Sequence, residues 1–547
     1  MSTVSAGSDS APVESRPSLP TLGLPWDLLL YLLPHIDSNA DLVQFMRTCR
    51  TIHAHGMHRL LYHCVLRTRE RSAAVLDSFC LCVLAAQDRP LYLRVLEIPS
   101  FQLLETGDPE VDLDSNLMDH TNFVPAHVKT VADRLSLVIS QARNLHTLRI
   151  DSLYDILETS TLISPALSSL KNLRTIVFTE PGAAAMQMLS DMQSHMKHVV
   201  LDFNPFSAPS LFERSRSTFT LSQNLAHSQD TLEYLTLIYP PETTHLFDNV
   251  RFPRMTSVTI CGEGTDGHVA AEMSYAFPNL KTLRWYHTHI PDDLQNARRT
   301  HQVGSYRTWS SLDRLDCCLE WVYSIAFRCP VRFWEGARLG FPLPVEEHIS
   351  LFHVALSDLC PKILDMSIIV SHCMKVGTFA TVFPATTSSL THLNIDLCEL
   401  RNEHWETEAG GCLIPHLQES LVVNLVRLPL VFFNLRLQYD ANPDTSLTDV
   451  QLAQERAVDG YLRRMNLDTF ANDLAKRLPT LEHLGIQMRR KLHPDSFWQI
   501  IHVEGANPVV ERVSEREGWQ ILRGTSFGGR LSLERAREAS LASSRAL

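Results

Sequence analysis

The sequence predicts an α/β fold: a small three-helix segment followed by an irregular repeat solenoid with a curved parallel β-sheet and outer helices. Two patterns carry this expectation. Apolar residues recur at helical spacing between Leu24 and Tyr62, and beyond residue 90 one short phrase, L-x-x-L-x-L or a close relative, returns at least eight times. Size agrees, because 547 residues with 44% hydrophobic content bury more core than one compact domain usually holds.

Residues 1–20 are rich in Ser, Ala and Pro and are expected to form a disordered leader, with order beginning near Leu22. They lack the basic start and apolar run of a signal peptide. Residues 21–65 should form three short helices, marked by Leu24, Leu28, Leu29, Leu32, Leu33 and Ile36, then Leu42, Phe45 and Met46, then Ile52, Leu60 and Leu61. Pro25 suits a first helical turn, and Asp27 is favoured by the positive end of the helix dipole. Pro34 should end or kink this helix early, since it has no N–H to donate. Ser38 and Asp41 stand at capping spacing before Leu42, so a second helix is expected from there towards Arg50. Residues 66–90 are expected to be a helical linker or cap.

The repeat phrase occupies Leu93 to Ile98, Leu145 to Ile150, Leu173 to Phe178, Leu232 to Leu237, Met255 to Ile260, Leu280 to Trp285, Leu390 to Ile395 and Leu481 to Ile486. The copies starting at Leu232, Met255 and Leu280 are 23 and 25 residues apart. That interval lies inside the period of leucine-rich repeats, roughly 20 to 29 residues. Longer gaps imply insertions or degenerate copies. Alternation turns apolar positions inward and leaves neighbours such as Glu233 and Thr236 outward. One such strand cannot bury its own face, whereas stacked copies build a continuous core and expose an extended concave sheet. A leucine-rich-repeat-like solenoid is therefore expected over 91–508, followed by a C-terminal segment, 509–547, with an exposed tail from Ser526. Around Trp309 to Phe341 and Leu417 to Tyr439 the phrase is hard to see; LPLVFF (428–433) fits a buried strand with altered spacing.

Charge and cysteines narrow the function classes. A formal charge of −12 and pI near 6.1 leave no global basic field for phosphate backbones, so nucleic acid is an unlikely partner. Twelve cysteines without paired spacing, among them Cys49, Cys64, Cys261, Cys329, Cys360 and Cys412, read as reduced thiols. No apolar run approaches the roughly 18 to 20 residues that span a bilayer. A soluble intracellular protein, cytoplasmic and/or nuclear, with no membrane partner is expected.

The order Leu24-Pro25, Asp27, Leu28-Leu29, Leu32-Leu33, Ile36, Asp41-Leu42, Phe45 and Thr48-Cys49-Arg50 resembles an F-box over about 40 residues. Pro34 departs from the family's usual continuation of the first helix, and the turn before Asp41 is slightly long. The chain as a whole is similar to F-box proteins with C-terminal leucine-rich repeats, a combination of fungal type. The resemblance implies that Leu24, Pro25, Leu28, Leu29, Leu32, Leu42 and Phe45 pack against a Skp-type adaptor, which docks onto a cullin–RING ubiquitin ligase. It further implies that the repeats recruit a substrate protein, so that this chain is the non-catalytic substrate-recognition subunit of an SCF-type ligase. A different class of reading is a leucine-rich-repeat scaffold unconnected with ubiquitin, the three helices serving as a cap over the first repeat.

Other motifs are weaker. Gly262, Gly264 and Gly267 spell G-x-G-x-x-G after a strand and are the one basis for a nucleotide-binding enzyme, but Glu263 and Asp266 place carboxylates where a pyrophosphate would lie. His53, His55, His58 and His63 crowd one segment without the companions of a metal site. Cys80-Leu81-Cys82 is too tight for a redox or zinc pair and reads as packed thiols. Six acidic residues between Glu105 and Asp119 lack calcium-loop spacing and read as a solvated insertion. Trp285, Tyr286, Trp309, Trp321 and Trp334 include candidate surface anchors, with most expected in the core. No catalytic residue, cofactor or metal is expected.

Overall fold

The computed structural model describes residues 26–36, 38–66, 73–98, 126–203, 220–240, 247, 250–262, 269–287, 293–303, 309–340, 345–369, 381–384, 387–398, 414–437, 460–488 and 494–525. Its N-terminal part begins with helix α1 (Trp26–Leu32), which passes into a single 3-10 turn, Leu33–His35, at Pro34. The proline ends the α-helix, as its missing donor requires. Ser38 caps α2 (Asn39–Met46), its hydroxyl accepting from the Asp41 N–H at 3.3 Å.

Helix α2 stops at Met46, earlier than the expected run towards Arg50. Thr48 donates its hydroxyl to the Phe45 carbonyl at 2.7 Å, and Cys49 is fully extended. The Cys49 thiol then accepts from the Ile52 N–H at 3.4 Å, opening α3 (Arg50–Tyr62). Two local side-chain bonds to the backbone thus separate the second helix from the third.

Among the described residues sixteen strands form one sheet in chain order. The first eight are β1 (His63–Val65), β2 (Val95–Ile98), β3 (Thr147–Ile150), β4 (Thr175–Thr179), β5 (His198–Asp202), β6 (Tyr234–Ile238), β7 (Ser257–Gly262) and β8 (Thr282–His287). The others are β9 (Leu312–Cys317), β10 (Val331–Leu339), β11 (Ile363–Ile369), β12 (His392–Cys398), β13 (Phe432–Leu437), β14 (His483–Met488), β15 (Ser496–Ile501) and β16 (Val509–Val513). Pairing is parallel from β1 to β14 and antiparallel for the last two strands.

Between them stand α4 (Ala73–Leu84), α5 (Ala126–Gln141), α6 (Leu153–Thr159), α7 (Ile163–Ser168), α8 (Gly182–Asp191) and α9 (Leu221–Asn224). They are followed by α10 (Val269–Ala276), α11 (Leu294–Val303), α12 (Leu319–Ile325), α13 (Val345–Leu359), α14 (Ile414–Leu425), α15 (Leu467–Arg477) and, after the last strand, α16 (Glu515–Gly524). Parallel neighbours in sequence order need such crossovers, and the result is a repeat-built α/β fold.

All eight copies of the phrase carry a strand, and their first, fourth and sixth residues are buried, as in Leu145, Leu148 and Ile150 or Leu280, Leu283 and Trp285. These positions and the buried helix faces form one core that runs the length of the sheet. Further rungs obey the same template with altered letters. Met196 leads β5, Val331 leads β10, and Cys317 ends the apolar set of β9. In β10 the register shifts between Glu335 and Ala337, and Gly336 takes φ +90°. This glycine bulge inserts an extra residue and hides the phrase over 309–341.

Elements occupy the segments on both sides of the repeat phrases as well. The sheet begins at His63, inside the three-helix segment, because β1 pairs with β2. The 66–90 stretch contains α4, whose buried Leu76, Cys80 and Val83 join the main core. At the other end β16 and α16 continue past residue 508 and pack on the sheet. The tail 526–547 and leader 1–20 lie outside the described residues. Among the described residues no helix is long and apolar enough to cross a membrane.

Candidate functional site

Two surfaces stand out, one on α1 and one on the sheet face opposite the main core, called the front face below. On α1, Leu28 and Leu32 are 51% and 46% exposed and Tyr31 is 68% exposed. Residues three and four apart share one side of a helix, so these three make a single apolar face turned to solvent. Leu29 and Phe45 are half-buried at the margin of the core. Leu42, by contrast, is 1% exposed and lies inside the core. Leu24 and Pro25 lie outside the described residues. Tyr31 was missed because an isolated tyrosine between leucines gives no periodic signal of its own.

The front face is built from the alternate strand residues. One row runs in register through Thr147, Thr175, His198, Tyr234, Ser257 and Thr282. The next holds Val177, Val200, Thr236 and Thr259. Apart from Tyr234, which is exposed, these side chains are half-buried. His198 stacks on Tyr234 with ring centroids 4.3 Å apart, and Lys197 pairs with Glu233 at 2.8 Å beside them. The stretch from β3 to β8 is thus accessible, and Arg149 and Arg284 close the second row at its two ends.

From β9 onward the same face changes character. Asp316, Glu335, Asp365, Asn394 and Asn434 follow one another across five strands in register, and all are buried. Adjacent like charges in register repel, so each needs compensation. Arg314 forks onto Glu335, its Nε donating at 3.0 Å, and Tyr286 donates its hydroxyl to Asp316. Asn434 donates to Asn394 and Asn394 to Asp365, both at 2.6 Å. Burial, with the Asp316 carboxylate beside it, raises the Glu335 carboxyl above its usual range. Tyr286 is likewise raised, by burial and by its bond to Asp316. In the neighbouring row Phe333, Ile363 and Phe432 are buried in a cluster separate from the main core, joined by Phe497, Trp519 and Leu522.

Two front-face histidines, His392 and His483, are pushed below the usual imidazole range mainly by burial, and His392 also by its neighbour His483. The folded state therefore resists their protonation. Their contribution is complete above the ordinary value of 6.5 and is lost as pH falls below it. Glu335, which takes its proton more readily when folded, offsets part of this loss at lower pH. The melting temperature is expected to drop between about pH 7.5 and 5.5, and by less in a His392→Gln variant, as differential scanning fluorimetry would read. An unchanged drop in that variant would contradict the assignment.

The remaining motifs resolve as structure. Gly262 ends β7 where a Cβ would stand 2.9 Å from the Tyr239 Cα of the previous repeat, so close backbone approach explains this glycine. Gly264 and Gly267 lie outside the described residues, as do residues 105–119. His53, His55 and His58 sit on α3, where the His58 ring meets Tyr92 at 4.8 Å; His63 reaches Glu97 at 3.3 Å. Among the described residues no group of three His, Cys, Asp or Glu is placed to hold a metal. The ten described cysteines are free, and burial pushes the Cys64, Cys80 and Cys329 thiols up to about 12, which keeps them protonated and inert. Trp285, Trp309, Trp321 and Trp334 are core residues, while Tyr286 is half-exposed on the front face. Comparison with protein-family models and with curated proteins finds no match to this chain.

Proposed function

We propose that this chain is the substrate-recognition subunit of an SCF-type cullin–RING ubiquitin ligase, binding a Skp-type adaptor through its first helices and a target protein through the sheet. The observation that carries the reading is the uncovered apolar face of Leu28, Tyr31 and Leu32, on the first of three short helices that lead directly into a repeat-built sheet. An apolar face on so short a helix is favoured when a partner covers it in helix-in-groove fashion. The resemblance to the F-box names that partner. The accessible front face from β3 to β8 supplies the target surface, rich in half-buried threonine and valine and flanked by Arg149 and Arg284. Catalysis then belongs to the partner enzymes, and the protein acts in the cytoplasm or nucleus where that machinery resides.

Co-purification of the full chain with a Skp-type adaptor tests the proposal. The wild type is expected to retain the adaptor and a Leu28→Asp, Leu32→Asp variant to lose it by at least tenfold. Both side chains face solvent, so the melting temperature should stay within a few degrees. A wild type that fails to hold the adaptor ends the ligase reading. The same front face then serves a scaffold unconnected with ubiquitin, whose partner keeps its abundance when the first 65 residues are removed.

A further inference from the structure

The C-terminal helix α16 lies on the front face, where the chain turns back immediately after the last strand. Its packing is separate from the core that holds the repeats together. The main core runs from Leu33 to Ile500 and contains no residue of α16, whereas Trp519 and Leu522 join Phe333, Ile363, Phe432 and Phe497 in a second cluster. Each rung thus has its rear apolar set without help from this helix.

Helix α16 is also built to form locally. Ser514 and Glu517 make a reciprocal capping box, with Glu517 N–H donating to the Ser514 hydroxyl at 3.3 Å and Ser514 N–H to the Glu517 carboxylate at 3.0 Å. Glu515 and Glu517 occupy the first turn and Arg523 the last, each favoured by the helix dipole. The buried positions are Gly518, Trp519 and Leu522, and Ile521 packs at the margin of the cluster. Gly518 rests on the Phe497 ring so closely that a Cβ would collide with it, and the Trp519 ring meets Phe497 edge-on at 5.7 Å. Trp519 and Leu522, three positions apart, share one side of the helix, the anchor spacing of an amphipathic helix seated in an apolar groove. Buried tryptophans are the usual anchors of such seats.

We propose that the apolar front-face cluster of Phe333, Ile363, Phe432 and Phe497 is a docking site for an amphipathic helix of a partner protein with a small-Trp-x-x-Leu pattern, occupied in this chain by its own residues 515–524. A segment attached directly to β16 has a high effective concentration at the seat, so it holds the site until a partner of the same pattern competes for it. The site is distinct from α1, which stands at the other end of the strand order.

The probe is a labelled peptide of residues 514–525, SEREGWQILRGT, read by fluorescence anisotropy against the full-length protein. A Trp519→Ala, Leu522→Ala variant, with its own helix disarmed, is expected to bind the peptide saturably and at least tenfold more tightly than the wild type. A peptide carrying the Trp519→Ala change should not bind. Equal binding to both proteins, or none to the variant, overturns the proposal. Hydrogen exchange on the unaltered protein gives a second reading that does not depend on the variant folding. Amides near the end of α16 should exchange at least a hundredfold faster than those of β12 to β14. Equal protection would make α16 a fixed part of the fold and overturn the proposal as well. Adaptor co-purification reads the other end of the sheet, so failure of either experiment leaves the outcome of the other standing.

Discussion

Replacing Trp334 by alanine is expected to cost about 3–5 kcal/mol of stability, visible as a lowered urea midpoint. The indole is fully buried on the rear of β10, packs against the Phe352 ring of α13 at 5.7 Å and donates its Nε1 hydrogen to the Cys317 carbonyl at 3.1 Å. Truncation removes the largest side chain of that rung and leaves a buried carbonyl without its donor, so cavity and desolvation costs add. In a repeat fold each unit leans on its immediate neighbours. The loss should therefore be local: hydrogen exchange is expected to quicken in β9 to β11 while β3 to β5 keep their protection. Uniform loss along the sheet would show that the array unfolds as one cooperative body instead.

The second large effect is expected at Arg298. This guanidinium is itself buried; it reaches the Asp358 carboxylate of α13 at 2.5 Å and the Tyr323 carbonyl of α12 at 2.7 Å, and stacks over the Tyr323 ring at 4.7 Å. One side chain thus ties three successive helices. Arg298→Ala removes those bonds and strands Asp358, which is about one-fifth exposed, so a loss of about 3 kcal/mol is expected, at the lower end for a broken buried pair. Removing both charges should cost less. An Arg298→Met, Asp358→Leu double variant is expected to recover at least half of the lost stability in urea denaturation, because desolvation of the pair disappears along with its attraction. A double variant as unstable as the single one would mean that the bond to Tyr323, not the ion pair, carries the effect.

Apolar periodicity and local chain chemistry were enough to read much of this protein. The eight repeat phrases, the helix break at Pro34 and the cap at Ser38 rest on neighbours within a few residues, and all are found in the structure. Rungs led by Met196 and Val331, or bulged at Gly336, escaped because the template tolerates any residue that fills the rear core, while a search by letter does not. The uncovered face of α1 was legible through Leu28 and Leu32, but Leu42 was not distinguishable from them, since a three-helix turn decides which leucines meet the core.

What the sequence by itself determined is the alternation that turns one side of every strand into core, together with the absence of a basic field for phosphate backbones. What only the tertiary structure decided is the opposite side. Asp316, Glu335, Asp365, Asn394 and Asn434 come from five separate strands, and Trp519 meets Phe497 from beyond the last of them, in one cluster with Phe432. Nothing in local spacing relates such residues, because each front-face neighbour is set by strand register across crossovers of unequal length. A buried carboxylate ladder and a helix seated on the sheet become visible only once that register exists.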